Sequence, residues 1–432
     1  MPPSPTSSHS LYSDSCYYGK EKAKLLLDLQ RQLLLLRRRI SIAARRTDAK
    51  AAAAKTHLIA VRQDSLEESV PGQECETVNG CHWEVSRLYE SHRRHGSMEL
   101  TRLQMLPSDL LNEITQGEAQ EAPPEAWAFL DTETTGLAGG SGTCAFLVGI
   151  GRITADGFHI RQFFMRDYLE ESSQLHAVAQ ALEDVKVLIT YNGKTFDLPL
   201  LEARYRMNRA RFPFTMPHLD LLHGARRLWR LRFESCKLTD LESRILGHER
   251  EDDIPGELIP PVYFDYLRSG RASRLAPVFL HNALDIVTLA CLTGIVPWAF
   301  RDPAEPQLRH GAEFVALGRW LRQTGRIQEA RNLFRRAIRH NLAEDILFRT
   351  MWDLASLERK LLDTEAALAM YEDLASCANA HRVEALVELA KHYEHRAKDP
   401  SRALSYIERA LSYQESDELH HRWNRLRKNS SA

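Results

Sequence analysis

The sequence predicts a mixed α/β domain followed by an array of paired helices. Two observations predict this. Between Ala126 and Gly193 lie four short apolar runs, AWAFLDTETTGL, TCAFLVGIGRI, GFHIRQFFMRD and KVLITYNG, with helical patterns near 172–183 and at 197–208, 220–230 and 276–294. Three sequential strands, then a helix, then a strand and more helices is the element order of a mixed sheet covered on both faces. Beyond Pro303 the pattern changes. Ala330, Phe334 and Ala337 recur 37 residues on as Ala367, Tyr371 and Leu374, and 36 further on as Ala403, Ile407 and Ala410.

Taken in order, residues 1–20 are rich in Ser, Pro and Tyr and are expected to be disordered. Residues 20–60 read as a basic helix, with Lys20, Lys22, Lys24, Arg31, Arg37, Arg38, Arg39, Arg45 and Arg46 in excess over acids. Such a stretch is either a solvated helix face or an arm for nucleic acid or a partner. Residues 61–78 read as linker, which closes an N-terminal region at 1–78. Residues 79–125 form a β-rich lead-in and linker, with Gly80, His82 and Trp83 ahead of RRHGSMEL and Pro123-Pro124 at its end. The core domain spans 126–300, with a turn at Asp156-Gly157 between its second and third strands.

The repeats occupy 307–428. Small residues let paired helices approach closely, and the aromatic or branched position fills the gap. Leu317-Gly318, Leu354-Ala355 and Leu389-Ala390 mark the first helix of each pair. The interval slightly exceeds the roughly 34 residues of a tetratricopeptide repeat. Each unit contacts mainly its neighbours, so the array is expected to be separable after Asp302.

A chain of 432 residues suits two or three domains. The net charge of −1 gives no global attraction to nucleic acid and leaves room for local basic surfaces. Seven cysteines are scattered without a CxxC pair, as expected of free thiols in a reducing cytoplasm. The start, MPPSPTSSHS, lacks the basic-then-apolar order of a signal peptide. No long uncharged run predicts a membrane span. The expectation is a cytoplasmic protein without membrane contact.

The chemistry concentrates in three short segments. Asp131 and Glu133 stand two apart at the end of an apolar strand, so both side chains point to one face. Two carboxylates there repel each other, and a hard divalent cation removes that cost. Asp197 follows Tyr191-Asn192-Gly193 at the start of a helix, where it serves as ligand or helix cap. His281 and Asp285 lie four apart on one helix face. Each segment alone has an ordinary structural reading.

Together the strings FLDTETTGLAGGSGTCAFLVGIG, YNGKTFDLPLL and HNALDIVTL resemble the DEDD exonuclease superfamily, and most closely its YprB-like branch, which often carries C-terminal tetratricopeptide repeats. The resemblance covers roughly residues 80–296. It implies a ribonuclease H-like core, a mixed five-stranded sheet with helices on both faces. It implies Asp131, Glu133, Asp197 and Asp285 as ligands of two Mg²⁺ or Mn²⁺ ions, with His281 as general base. One departure stands out: histidine-type members often place His five residues before Asp, whereas here the separation is four.

Thr134, Asn192, Lys194, Asp220, Arg226 and Arg230 are candidate substrate contacts. Arg226, Arg227, Arg230 and Arg232 surround Trp229, a composition that suits a single strand by charge and stacking. Tyr191 and Phe196 are expected in the core. The resemblance implies a 3′–5′ exonuclease on single-stranded DNA or RNA. A structure-selective endonuclease, or a non-cleaving scaffold whose repeats bind a protein partner, remains open.

Overall fold

The computed structural model describes residues 65–136, 142–304 and 308–430. The N-terminal tail and basic helix expected at 1–60 lie outside the described residues. The described fold is built on one seven-stranded sheet. Its strands are β1 (Gln73–Thr77), β2 (Gly80–Glu90), β3 (Trp127–Thr134), β4 (Ala145–Thr154), β5 (Gly157–Phe164), β6 (Val187–Thr190) and β7 (His218–Asp220). The order across the sheet is β1-β2-β5-β4-β3-β6-β7. Neighbours from β1 to β3 pair antiparallel. β3–β6 and β6–β7 pair parallel.

Four of these strands, β3 to β6, are the apolar runs read from the sequence, and β7 supplies the fifth that the resemblance implies. The other two correct the reading of 61–78 as linker and of 79–125 as a lead-in apart from the core. β1 and β2 form a hairpin whose second strand pairs along β5 from Trp83↔Phe164 to Glu90↔Gly157. Val78-Asn79 makes its turn, and Gly80, at φ +115, opens the second strand opposite Thr77. The first strand, QECET, is polar because it is the sheet edge, where charged side chains discourage pairing with other chains.

Alternation along the strands sorts side chains to two layers. Trp127 and Phe129 of β3 face the same cluster as Ile286, Val287 and Ala290. Ala128 and Leu130 face the other side, with Leu175, Val178 and Leu201. The helices over that second face are α1 (Glu171–Ala181) and α2 (Asp197–Met207). On the first face lie α3 (Leu221–Trp229), α4 (Ile259–Ser269), α5 (Ala276–Thr293) and α6 (Val296–Arg301). Phe146 of β4 stacks on Tyr263 of α4 at 3.9 Å between centroids.

Helix α5 lies close against β4 because β4 carries glycine where they meet. A Cβ at Gly149 would stand 2.2 Å from Asn282 Oδ1, and one at Gly151 2.5 Å from Ile286. Overpacking of that kind costs roughly 1–3 kcal/mol or more. This close approach carries Asn282 and Asp285 to the sheet. Residues 276–301 are also long and apolar enough to cross a membrane, although His281 and Asp285 interrupt the apolar run; in the fold, 78% of its apolar 18-residue window is buried.

Seven helices follow: α7 (Gly311–Gln323), α8 (Ile327–Ile338), α9 (Glu344–Lys360), α10 (Thr364–Ser376), α11 (Arg382–His395), α12 (Pro400–Leu411) and α13 (Asp417–Ser430). The first six form three consecutive pairs at the period read from the sequence. The repeated positions Ala330, Phe334, Ala367, Tyr371, Ala403 and Ile407 are all buried. Gly318 allows close approach, since a Cβ there would meet the Phe334 ring at 2.6 Å.

The array is joined to the core across Asp302 by shared packing. One hydrophobic cluster runs from Trp127 and Leu228 of the core through Phe300 to Phe314, Leu317, Trp320 and Phe334 of the first pair. Phe300 and Trp320 stack at 4.4 Å. A separate cluster begins at Ala355. A chain ending at Asp302 is therefore expected to aggregate, whereas one ending after Lys360 retains the shared cluster. Soluble yield and dye binding by exposed apolar surface compare the two. A monomeric, cooperatively melting chain ending at Asp302 would show that the shared cluster is dispensable.

Candidate metal centre

Because β3, β6 and β7 run parallel, their C-terminal ends share one edge of the sheet. In such sheets that edge is where ligands bind. Asp131 and Glu133 occupy the end of β3, with a register shift between Glu133 and Thr134 that ends regular pairing. Asp197 opens α2 just beyond β6, and Asp285 comes from α5.

The four carboxylates face one another, and their electrostatics record it. Burial, then the charges of Asp285 and Asp197, push the Asp131 carboxyl well above the usual range. Burial, then Asp131, Asp285, Asp197 and Asp253, do the same to Glu133. Asp197 is pushed up to about 6 by burial, against hydrogen bonds from Thr132 and from the backbone. The face assignments explain its partner. Asp131 and Glu133 continue the α5 side of β3, and Thr132 points the other way, where its hydroxyl donates to Asp197 at 2.5 Å.

Several residues at this centre were not singled out from the sequence. Asn282 Nδ2 donates to Asp131 Oδ2 at 2.8 Å. Asn282 stands three residues before Asp285, and that helical spacing is the signal that could have found it. Arg250, with 7% of its side chain exposed, bridges three acids. It reaches Glu242 at 2.5 Å, Asp253 at 3.1 Å and Asp285 Oδ1 at 2.5 Å. Asp253 in turn accepts from His281 Nδ1 at 2.9 Å, while His281 Nε2 lies 3.7 Å from Asp285 Oδ2.

Other expected contacts sort differently. Asp220 is 3% exposed. Its oxygens accept from the backbone N–H groups of Asn192 at 2.8 Å, Lys194 at 3.1 Å and Leu222 at 3.2 Å. It therefore holds the loop before Asp197 and caps α3, rather than touching substrate. Asn192 takes φ +69 at that turn, and Lys194 is exposed beside it. Thr134 donates to Gly136 O at 2.9 Å. Trp229 is 1% exposed and has no face for a base. Arg232 is held by Glu313 at 2.7 Å. Arg226 and Arg230 are exposed. Tyr191 is partly buried against the core, but Phe196, also expected in the core, is 54% exposed next to Asp197.

The donor set fits a divalent cation. It is all oxygen, which suits hard ions, and Asp131 and Glu133 carry a cost of mutual repulsion that a cation offsets. Three-donor groups with ligand atoms within 4.8 Å of one another occur at Cys75, His82 and Glu84 and at His95, Glu242 and His248. Among the described residues, neither group includes any of the four carboxylates at the sheet edge. In those groups Glu84 is already held by Arg161 at 2.7 Å, and Glu242 by Arg250.

A mixed sheet with carboxylates gathered at the ends of its parallel strands, and a helix across one face supplying another, defines a ribonuclease H-like protein. A family model described as RNase H superfamily matches residues 128–296. The chain is 32% identical over 314 residues to the uncharacterized protein YprB of Bacillus subtilis (strain 168), an alignment covering 70% of this chain and 75% of that protein. The chain belongs to the YprB family of RNase H superfamily proteins.

Proposed function

We propose that the chain is a metal-dependent nuclease that hydrolyses phosphodiester bonds, acting as a 3′–5′ exonuclease on single-stranded DNA or RNA. The observation that carries this reading is the mutual repulsion of carboxylates from β3, α2 and α5 at one sheet edge. Asp131, Glu133, Asp197 and Asp285 would hold two Mg²⁺ or Mn²⁺ ions. Bound there, the ions would supply an activated water and a stabilised leaving oxygen.

The protein's own groups complete the chemistry. The Asp253 carboxylate can only accept from His281, so it fixes the proton on Nδ1 and leaves Nε2 as the basic nitrogen. That nitrogen takes the proton of the attacking water. Lys194 and Asn192, on the loop held by Asp220, lie where a scissile phosphate would approach Asp197. Exposed Phe196 offers a face for the terminal base. The helical repeats are proposed as the surface for a protein partner.

End-labelled DNA and RNA, incubated with Mn²⁺, with Mg²⁺ and with chelator, test the reading. A ladder from the 3′ end that chelator abolishes is the expected result. Internal cuts would make the enzyme an endonuclease, and no cutting of either polymer would remove the assignment. His281→Ala is expected to slow cleavage by about 10²–10⁴-fold with nearly normal Mn²⁺ affinity. A loss below about fivefold would leave His281 only the role of holding Asp253 and Asp285.

A further inference from the structure

The joint between core and repeats contains a cleft lined by arginines, three of which have no carboxylate partner among the described residues. Its cavity is about 180 Å³, lined by Arg226, Arg227 and Arg230 of the core and by Arg319, Trp320 and Gln323 of α7. No acidic residue lines it. Among the described residues, no carboxylate pairs with Arg226, Arg227 or Arg230. Arg319 donates its Nε to Asp353 at 3.1 Å, but its Nη2 is buried with no hydrogen-bond partner. The Arg227 guanidinium lies 5.2 Å from the centre of the Trp320 ring. The three guanidinium groups of Arg226, Arg227 and Arg230 repel one another around this cavity, and an anion seated among them removes that cost.

Helix α3 connects this cleft to the carboxylates. Its N-cap is Asp220, which holds the loop carrying Asp197. From Asp220 to Arg226 and Arg230 is roughly 9–15 Å along the helix axis, at about 1.5 Å per residue. A stacked single strand rises about 3.4 Å per nucleotide, so the cleft stands about three to four nucleotides from the loop that Asp220 holds beside Asp197. We propose that the cleft binds the phosphodiester backbone of the substrate strand upstream of the scissile bond, so that core and first repeat grip one strand together. This rests on the nuclease reading and adds to it a role for the repeats as part of the substrate path. The floor is a Trp ring already covered by Arg227, so contact is to phosphates and independent of base identity.

The test uses the full chain and a labelled thymidine oligonucleotide of roughly 20 nucleotides, followed by fluorescence anisotropy with chelator present so that nothing is cut. Arg226→Gln, Arg227→Gln and Arg230→Gln are combined. All three side chains are exposed, and an unchanged melting temperature verifies the fold. The dissociation constant is expected to rise at least tenfold. The slope of log affinity against log salt should shrink by about 2, since each phosphate contact on a single strand contributes about 0.7. Arg319→Gln, which leaves Asp353 its 2.8 Å bond to Arg322, should shrink it by about 0.7.

An oligonucleotide bound and cut by the wild type, with affinity and slope unchanged in the triple variant, overturns the cleft and leaves the nuclease reading intact. A wild type that neither binds nor cuts removes both. Tighter binding of polyglutamate than of oligonucleotide, lost in the triple variant, assigns the cleft to an acidic protein segment and overturns the proposal.

Discussion

Asp131→Asn is expected to abolish metal-dependent cleavage while raising the melting temperature of the metal-free protein. The two effects share one cause. Asp131 sits among Asp285, Asp197 and Glu133, and its carboxyl is held well above the usual range by burial and by those charges. A metal ion contributes several kcal/mol of charge stabilisation to such a reaction. At 1.36 kcal/mol per tenfold, losing a ligand should cost about 10³-fold or more.

Without metal, the same carboxylate is a burden. A carboxyl whose folded pKa is raised stabilises the fold only while protonated. That contribution is complete below the unfolded pKa and lost as pH rises through the folded one. For Asp197 the window runs from 3.8 to about 6. The metal-free wild type should therefore melt at progressively lower temperature as pH rises through this window, and the Asn variant should lose less. A domain of this size shifts by about 2–4 °C per kcal/mol, so a gain of a few degrees at neutral pH is expected. Thermal melts in chelator and a cleavage assay check both halves. A variant that cuts at the wild-type rate, or that melts lower at every pH, contradicts the assignment.

Arg250→Met is expected to cost about 3–5 kcal/mol of stability, the usual consequence of removing one partner from a buried ion pair. Its guanidinium is 7% exposed and its partners Glu242, Asp253 and Asp285 are 1%, 17% and 16% exposed. The methionine retains most of the apolar stem, so the loss reports charge rather than volume. Glu242 is then left with His95 at 2.9 Å, and Asp253 and Asp285 with His281 alone at 2.9 and 3.7 Å. The melting temperature should fall on the order of 10 °C, and Mn²⁺ should restore part of the loss because it supplies positive charge at Asp285. A loss under about 1 kcal/mol, or no recovery with Mn²⁺, would mean that Arg250 does not serve as counter-ion to this site.

The parts legible in the sequence are those written in local patterns. The alternation of β3 placed Asp131 and Glu133 on one face. The four-residue spacing placed His281 with Asp285, and the repeat interval located the helix pairs. The edge strand β1 reads as linker in the sequence because QECET has no apolar alternation. Arg250 and Asp253 lie in a segment without regular structure, and their partners stand 35 and 28 residues away. Only the folded chain brings those groups together. Residue type alone misled in both directions. Trp229, at the end of α3, is buried, while Phe196 is 54% exposed beside Asp197. The shared cluster between core and first repeat was signalled by Trp298 and Phe300, apolar residues beside a helix break, but their partners Phe314 and Trp320 belong to the repeat pattern itself.

Calorimetric titration of Mn²⁺ into the full chain, compared with Asp197→Asn, tests the metal centre most directly, because it needs no substrate. Two ions per wild-type chain are expected, falling to one or none in the variant. Equal stoichiometry and affinity in both proteins, or no binding to either, would contradict the account.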